Sequence, residues 1–255
     1  MDSREKIKTV LLKEQKADFS KMELNETIKW LGQYCIHMAK IIEMLKQYKG
    51  LSNVDYLTDE TFRRYKGLAL SLSFPIENFR RYVPVGEQFE NPKEEINSVE
   101  QGLLIQSWSS LGSLLESTLQ MFLAFYHEDF LKSNWGKWDE KTIRQLEESL
   151  VVFNDKLKQV VTSNQVSDDG GLNGKRRKRF LEKVQQLIQE KAVMPKLADI
   201  TLSNLIDFYF SEEVIYNGSI YEKKELQKIR DYRNAIHSFK DRSIGTWNDL
   251  MNIQN

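Results

Sequence analysis

Near the C-terminal end of the chain, Arg230-Asp231-Tyr232-Arg233-Asn234-Ala235-Ile236-His237 gathers two guanidiniums, an amide and an imidazole. An imidazole titrates near neutral pH and moves a proton in either direction. A guanidinium grips a phosphate through two parallel hydrogen bonds and stabilises charge that grows on its oxygens. An amide orients either group. Together these side chains suit metal-independent cleavage of RNA, in which a 2′-hydroxyl attacks the adjacent phosphate. On a helix turning about 100° per residue, Arg230, Arg233, Asn234 and His237 are expected on one stripe, with Asp231 as a further polar neighbour. Ile229, Tyr232, Ile236 and Phe239 form another stripe, expected to face a core. The same pattern also describes the solvated face of an amphipathic helix, with His237 near a C-terminus where the helix dipole favours a cation. Spacing alone leaves both readings open.

A second cluster, Lys175-Arg176-Arg177-Lys178-Arg179, sets five cations side by side. It reads either as a solvated helix start beside a loop or as a patch that contacts RNA phosphates. Other chemistries find no support. His37, His127 and His237 are scattered along the chain rather than clustered with one another, so no metal is expected. Gly170-Gly171-Leu172-Asn173-Gly174-Lys175 lacks the spacing and the strand-to-helix setting of a phosphate loop, and there is no nucleophile elbow. No cofactor is expected.

The elements that must position these residues are helices. Ile28, Leu31, Cys35, Met38, Ile42 and Leu45 recur at helical spacing in a segment of two helices spanning about residues 3–49. Thr58-Asp59-Glu60-Thr61 offers capping residues for a helix carrying Phe62, Tyr65, Leu68, Ala69 and Leu72, which Pro75 is expected to end. Residues 75–92 hold three of the four prolines and are expected to form a linker or irregular arm. A long pattern from Ile96 to Leu131 is apolar on more than one face, as befits the centre of a bundle. Further helices are expected over about 140–161, 178–193, from Thr201, and from Tyr221 to Lys240. A mobile loop is expected at about 163–177, and a turn at Asn217-Gly218. No repeat or strand alternation interrupts this, so the fold class is all-α.

The segment from Lys228 to Phe239 resembles the signature of the HEPN superfamily: an arginine, a polar residue, and a histidine after four to six intervening residues. Arg230-Asp231 with six residues before His237 fits that pattern. Arg233-Asn234 has the family look, with three residues before His237. Trp108 to Leu119 resembles the early helix of such domains, where a glutamate, here Glu116, sits among apolar residues. The resemblance covers about residues 95–255 and leaves 1–94 as an N-terminal helical addition. It implies a four- or five-helix bundle that often dimerises, and metal-independent endoribonuclease activity in defence or toxin systems. His237 would then transfer protons, Arg230 or Arg233 would hold the phosphate, and Asp231 and Asn234 would support them. It also implies an antitoxin or other protein partner. Other members bind RNA, nucleotides or proteins without cleaving, which is the alternative function.

Composition bounds the setting. Lys plus Arg equals Asp plus Glu at 37 each, which argues against a surface coated in basic charge. Cys35 is the one cysteine, so no internal disulfide forms; this fits a reducing compartment, with Cys35 read as a small buried hydrophobe. The charged start Met1-Asp2-Ser3-Arg4 leads into no apolar signal core, and the run from Leu114 to Tyr126 is too short and polar to span a bilayer. A cytoplasmic protein without membrane attachment is expected.

Overall fold

The computed structural model describes residues 24–163, 174–211, 222–234 and 244–254, and among them there are helices and connections but no strand. The helices are α1 (Leu24–Tyr48), α2 (Asp59–Ser71), α3 (Phe74–Gly86), α4 (Pro92–Phe125), α5 (His127–Ser133), α6 (Glu140–Ser163), α7 (Gly174–Glu190), α8 (Leu202–Ser211), α9 (Lys223–Arg233) and α10 (Trp247–Gln254). The all-α class expected from periodicity is what the structure has.

Local chemistry explains most boundaries. Thr58 caps α2 by accepting the Thr61 N–H at 3.1 Å, and Phe62, Tyr65 and Ala69 are buried from that helix. In α1, Ile28 and Cys35 of the expected stripe are buried and Leu31, Met38, Ile42 and Leu45 half-buried. Two expectations are corrected. Residues 75–92 are not an irregular arm: Pro75 lies in the first turn of α3, Pro84 near its end, and Pro92 opens α4. A proline at a helix start loses an N–H that had no intrahelical partner there, so it begins a helix as readily as it ends one. The expected helix over Ile96–Leu131 is two, because Tyr126 leaves helical geometry (φ −103°, ψ 36°) between α4 and α5. The first helical segment is described only as α1, since residues 1–23 lie outside the described residues. The same is true of 164–173, where most of the expected loop falls, and of the turn at Asn217-Gly218.

Two compact units emerge, one formed by Met1–Phe125 with Thr201–Asn255, the other by Tyr126–Ile200. The division expected at residue 94 falls in the first turn of α4. In the first unit α4 is the axis: α2, α3, α8 and α9 all pack on it. Trp108, Leu114, Met121 and Ala124 of α4 are almost fully buried. Burial on several sides is why its sequence shows no single apolar face. In the second unit α6 packs on α7. Glu147 meets Gln189 while Phe153 meets Phe180, so the two helices run antiparallel. No helix among the described residues is long and apolar enough to cross a membrane.

Candidate functional site

Helix α9 carries the arginines. Its start is fixed where the Glu222 N–H donates to the Glu225 carboxylate at 3.0 Å, and its described part ends with Asn234, whose N–H donates to the Arg230 carbonyl. The rest of the helix expected to Lys240 lies outside the described residues, and so do Ala235, Ile236, His237 and Phe239.

The seat for α9 is a stripe on α4. Trp108, Gly112 and Glu116 are four residues apart, one turn above another on the same face. Ile229 is buried and Tyr232 packs its ring on Trp108, with centroids 4.7 Å apart and planes inclined at 44°. These two are the core contacts expected of that stripe. Arg233 follows the next turn. Its aliphatic stem lies over Gly112, where an added Cβ would come within 2.6 Å of the Arg233 Cδ and 2.9 Å of its Cβ. Its Nη2 reaches Glu116 Oε2 at 2.7 Å, with 28% and 20% of the two side chains exposed. Gly112 is therefore required by a close approach, and Glu116, one turn further along α4, pairs with the guanidinium.

Arg230 goes elsewhere. Its Nε and Nη2 donate to Asp231 Oδ1 at 2.9 and 2.8 Å, and its Nη1 donates to Ser203 Oγ at 3.2 Å in the first turn of α8. Arg230 thus engages both ends of its guanidinium within the chain. Arg230 and Arg233 keep the expected side of α9, about 60° apart, but their guanidiniums part: one reaches Ser203 on α8, the other Glu116 on α4. The reason is angular. Arg233 follows Ile229 by four residues and so lies about 40° from the buried face, at the rim of the core. Asn234 is half-buried beside them, and Asp231 is exposed except for its pairing with Arg230.

Around this seat lie groups that sequence reasoning did not single out. Tyr56, in the connection between α1 and α2, has a left-handed backbone (φ 87°). Its hydroxyl is pushed above the ordinary phenol range mainly by burial, against a hydrogen bond with Ser117 and with a smaller push from the Glu116 charge. Tyr232 is likewise raised, first by burial and then by the charges of Asp249 and Asp231. Asp249 is held at the start of α10, accepting from the Thr246 N–H at 2.7 Å and the Thr246 hydroxyl at 2.8 Å. The recurrence of Trp108, Gly112 and Glu116 was the available signal for the seat. Nothing in the sequence points to Tyr56 or Ser203.

The basic run belongs to the other compact unit. Lys175, Arg176, Lys178 and Arg179 are exposed and Arg177 half-buried, all in the first turns of α7. The helix begins at Gly174, earlier than the expected 178, so these cations stand on a helix and not in a loop. There they oppose the positive end of the helix dipole. Cys35 is buried and free, its thiol raised by that burial, while a Tyr65 hydrogen bond acts against the shift. Tyr65 also meets the Thr118 hydroxyl at 2.8 Å. Burial leaves Cys35 without the exposed, electropositive setting of a reactive thiol. His37 is exposed and His127 half-buried, and among the described residues no group of His, Cys, Asp or Glu is placed to hold a metal ion. In comparisons with protein-family models, curated proteins and solved structures, nothing matches this chain.

Proposed function

We propose that the chain is a metal-independent endoribonuclease of the HEPN type, serving in a defence or toxin system and cleaving RNA by 2′-hydroxyl attack on the adjacent phosphate. The observation that carries this reading is the seat of Arg233. Gly112 lets its stem lie against α4 and Glu116 fixes its guanidinium, a preorganised cation at the end of a helix and four residues before His237. A guanidinium held in place stabilises phosphorane charge without reorganising during the reaction. Arg233 is accordingly the phosphate-binding residue, with an RNA phosphate sharing or displacing the Glu116 carboxylate. His237 transfers protons to and from the 2′-hydroxyl and the leaving oxygen. Arg230, tied to Asp231 and Ser203, positions the end of α9 against α8. Two copies bringing their motifs together in one cleft, in the cytoplasm, complete the proposal, with an antitoxin or other protein partner holding it in check.

One observation favours the alternative, a HEPN-like module that binds RNA, a nucleotide or a partner without cleaving. Both arginines are already engaged by carboxylates of the chain itself. One experiment separates the two: incubating purified protein and its His237→Ala variant with mixed RNA in EDTA. The endoribonuclease reading expects cleavage by the wild type and none by a normally folded variant. Salt-sensitive binding without any product selects the module, and equal cleavage by both proteins removes His237 from the reaction.

A further inference from the structure

The α6–α7 hairpin shows an apolar seam that its own packing does not use. On α6, Ile143, Glu147, Leu150, Asn154 and Leu157 recur at helical spacing and are half-buried; on α7, Leu181 and Val184 are half-buried and Ile188 buried, which marks the faces that the two helices turn inward. Beside those faces lie Leu146 and Phe153 on α6 and Phe180 and Leu187 on α7, exposed by 36%, 46%, 47% and 60%. Each pair is seven residues apart, two full turns, so each helix contributes a short ridge. Phe153 and Phe180 touch, with ring centroids 6.5 Å apart, which places both ridges on one side of the hairpin. Two antiparallel helices with exposed apolar ridges side by side match the surface on which a third amphipathic helix lies, its apolar residues at i, i+3, i+4 and i+7.

Charge selects the helix. At about 100° per residue, the next positions outward from the seam are Arg179 and Lys183 on α7 and Lys156 on α6, all exposed. Glu190 is the one acid on that side of α7, at its far end, where Gln186 donates to it at 3.0 Å. α7 as a whole carries the six cations Lys175, Arg176, Arg177, Lys178, Arg179 and Lys183 against Glu182 and Glu190. A second copy of the hairpin would set these cations against their like. We propose that the α6–α7 seam is the docking surface for an acidic amphipathic helix of a partner protein, its apolar stripe covering Phe153, Phe180 and Leu187 and its carboxylates meeting Lys156, Arg179 and Lys183. The proposal is independent of RNA cleavage.

The test uses the full chain and two synthetic helical peptides of about 20 residues, long enough to hold helical structure, with identical leucine stripes. One carries glutamates on the flanks, the other lysines. The acidic peptide binds at least tenfold more tightly, binding weakens as salt rises, and Phe180→Glu with Leu187→Glu lowers it at least tenfold. Because these residues are exposed, unchanged circular dichroism shows the variant folded. Charge reversal at Arg179 and Lys183 turns the preference toward the basic peptide, which gives a second reading on an intact seam. The proposal is overturned if both peptides bind alike or if the glutamate substitutions leave acidic-peptide binding unchanged. It is equally overturned by a wild-type dimer that Phe180→Glu dissociates, or by RNA binding that the same substitution abolishes.

Discussion

Two groups of cations sit in the two compact units, and they differ in how they are held. Arg230 and Arg233 are half-buried, each with a named partner, and Arg233 depends on a glycine one helix away. The run Lys175–Arg179 stands on the first turns of α7, with Arg177 half-buried and the rest exposed, and Lys178 comes no closer to Glu182 than 3.9 Å. A held guanidinium has lost its rotamer entropy before any ligand arrives and can act in a reaction. Exposed cations create a field that draws anions without orienting them. The comparison teaches that density of charge in a sequence is a poor guide to a site, because the partner that fixes a charge lies on another element.

The largest effect that sharpens this contrast is expected at the base of the Arg233 seat. Trp108 is fully buried, so Trp108→Ala is expected to cost about 3–5 kcal/mol, whereas Phe153→Ala on the exposed hairpin costs about 0.5 kcal/mol or less. Urea denaturation of both variants checks the difference. Next comes Gly112→Ala. Alanine favours a helix over glycine by up to about 1 kcal/mol, yet its methyl group collides with Arg233, so a net loss of about 1–3 kcal/mol is expected. Placing the same change in an Arg233→Gly background removes every side-chain atom it meets and turns it neutral or stabilising relative to that background, which a thermal melt reads directly.

A smaller effect is expected from the ion pair that ends the seat. With both partners partly exposed, a double-mutant cycle of Glu116→Gln and Arg233→Gln is expected to give a coupling of about 0.5–1 kcal/mol. A coupling near zero would mean that Glu116 does not hold Arg233 in solution. The smallest change in stability is expected in the basic run: Lys178→Gln with Arg179→Gln raises it by a few tenths of a kcal/mol by relieving the helix dipole. If the run contacts RNA, the same pair flattens the salt dependence of binding, by about 0.7 in log–log slope for each phosphate contact removed from a single strand.

How much of this was legible in the sequence follows from which forces are local. The Thr58 cap, the buried stripe of α1 and the central role of α4 could be read because capping and periodicity are written within one helix. The helix at Pro75 and the start of α4 at Pro92 were missed because a proline at the first turn and one after the last leave the same mark. α10 was missed because it is short and sits beyond the segment taken as the last helix. At the site, the motif arginines were visible but their directions were not. Stripes drawn by residue type placed Arg233 with Arg230, although its distance of four from Ile229 already put it at the edge of the core. Glu116 entered through the resemblance and not through its contact. The pairing of α9 with the Trp108-Gly112-Glu116 stripe is a long-range event, and only the folded chain displays it.

Arg233, seated on α4, is proposed to serve RNA cleavage. The most direct test of that role is the initial rate of RNA cleavage in EDTA by Arg233→Ala, measured beside the wild type and Arg230→Ala. The expected result is cleavage by the wild type, a loss of about a hundredfold or more in Arg233→Ala, as for removal of one preorganised charge-stabilising donor, and a smaller loss in Arg230→Ala. Equal rates for Arg233→Ala and the wild type, with both proteins folded, would contradict it.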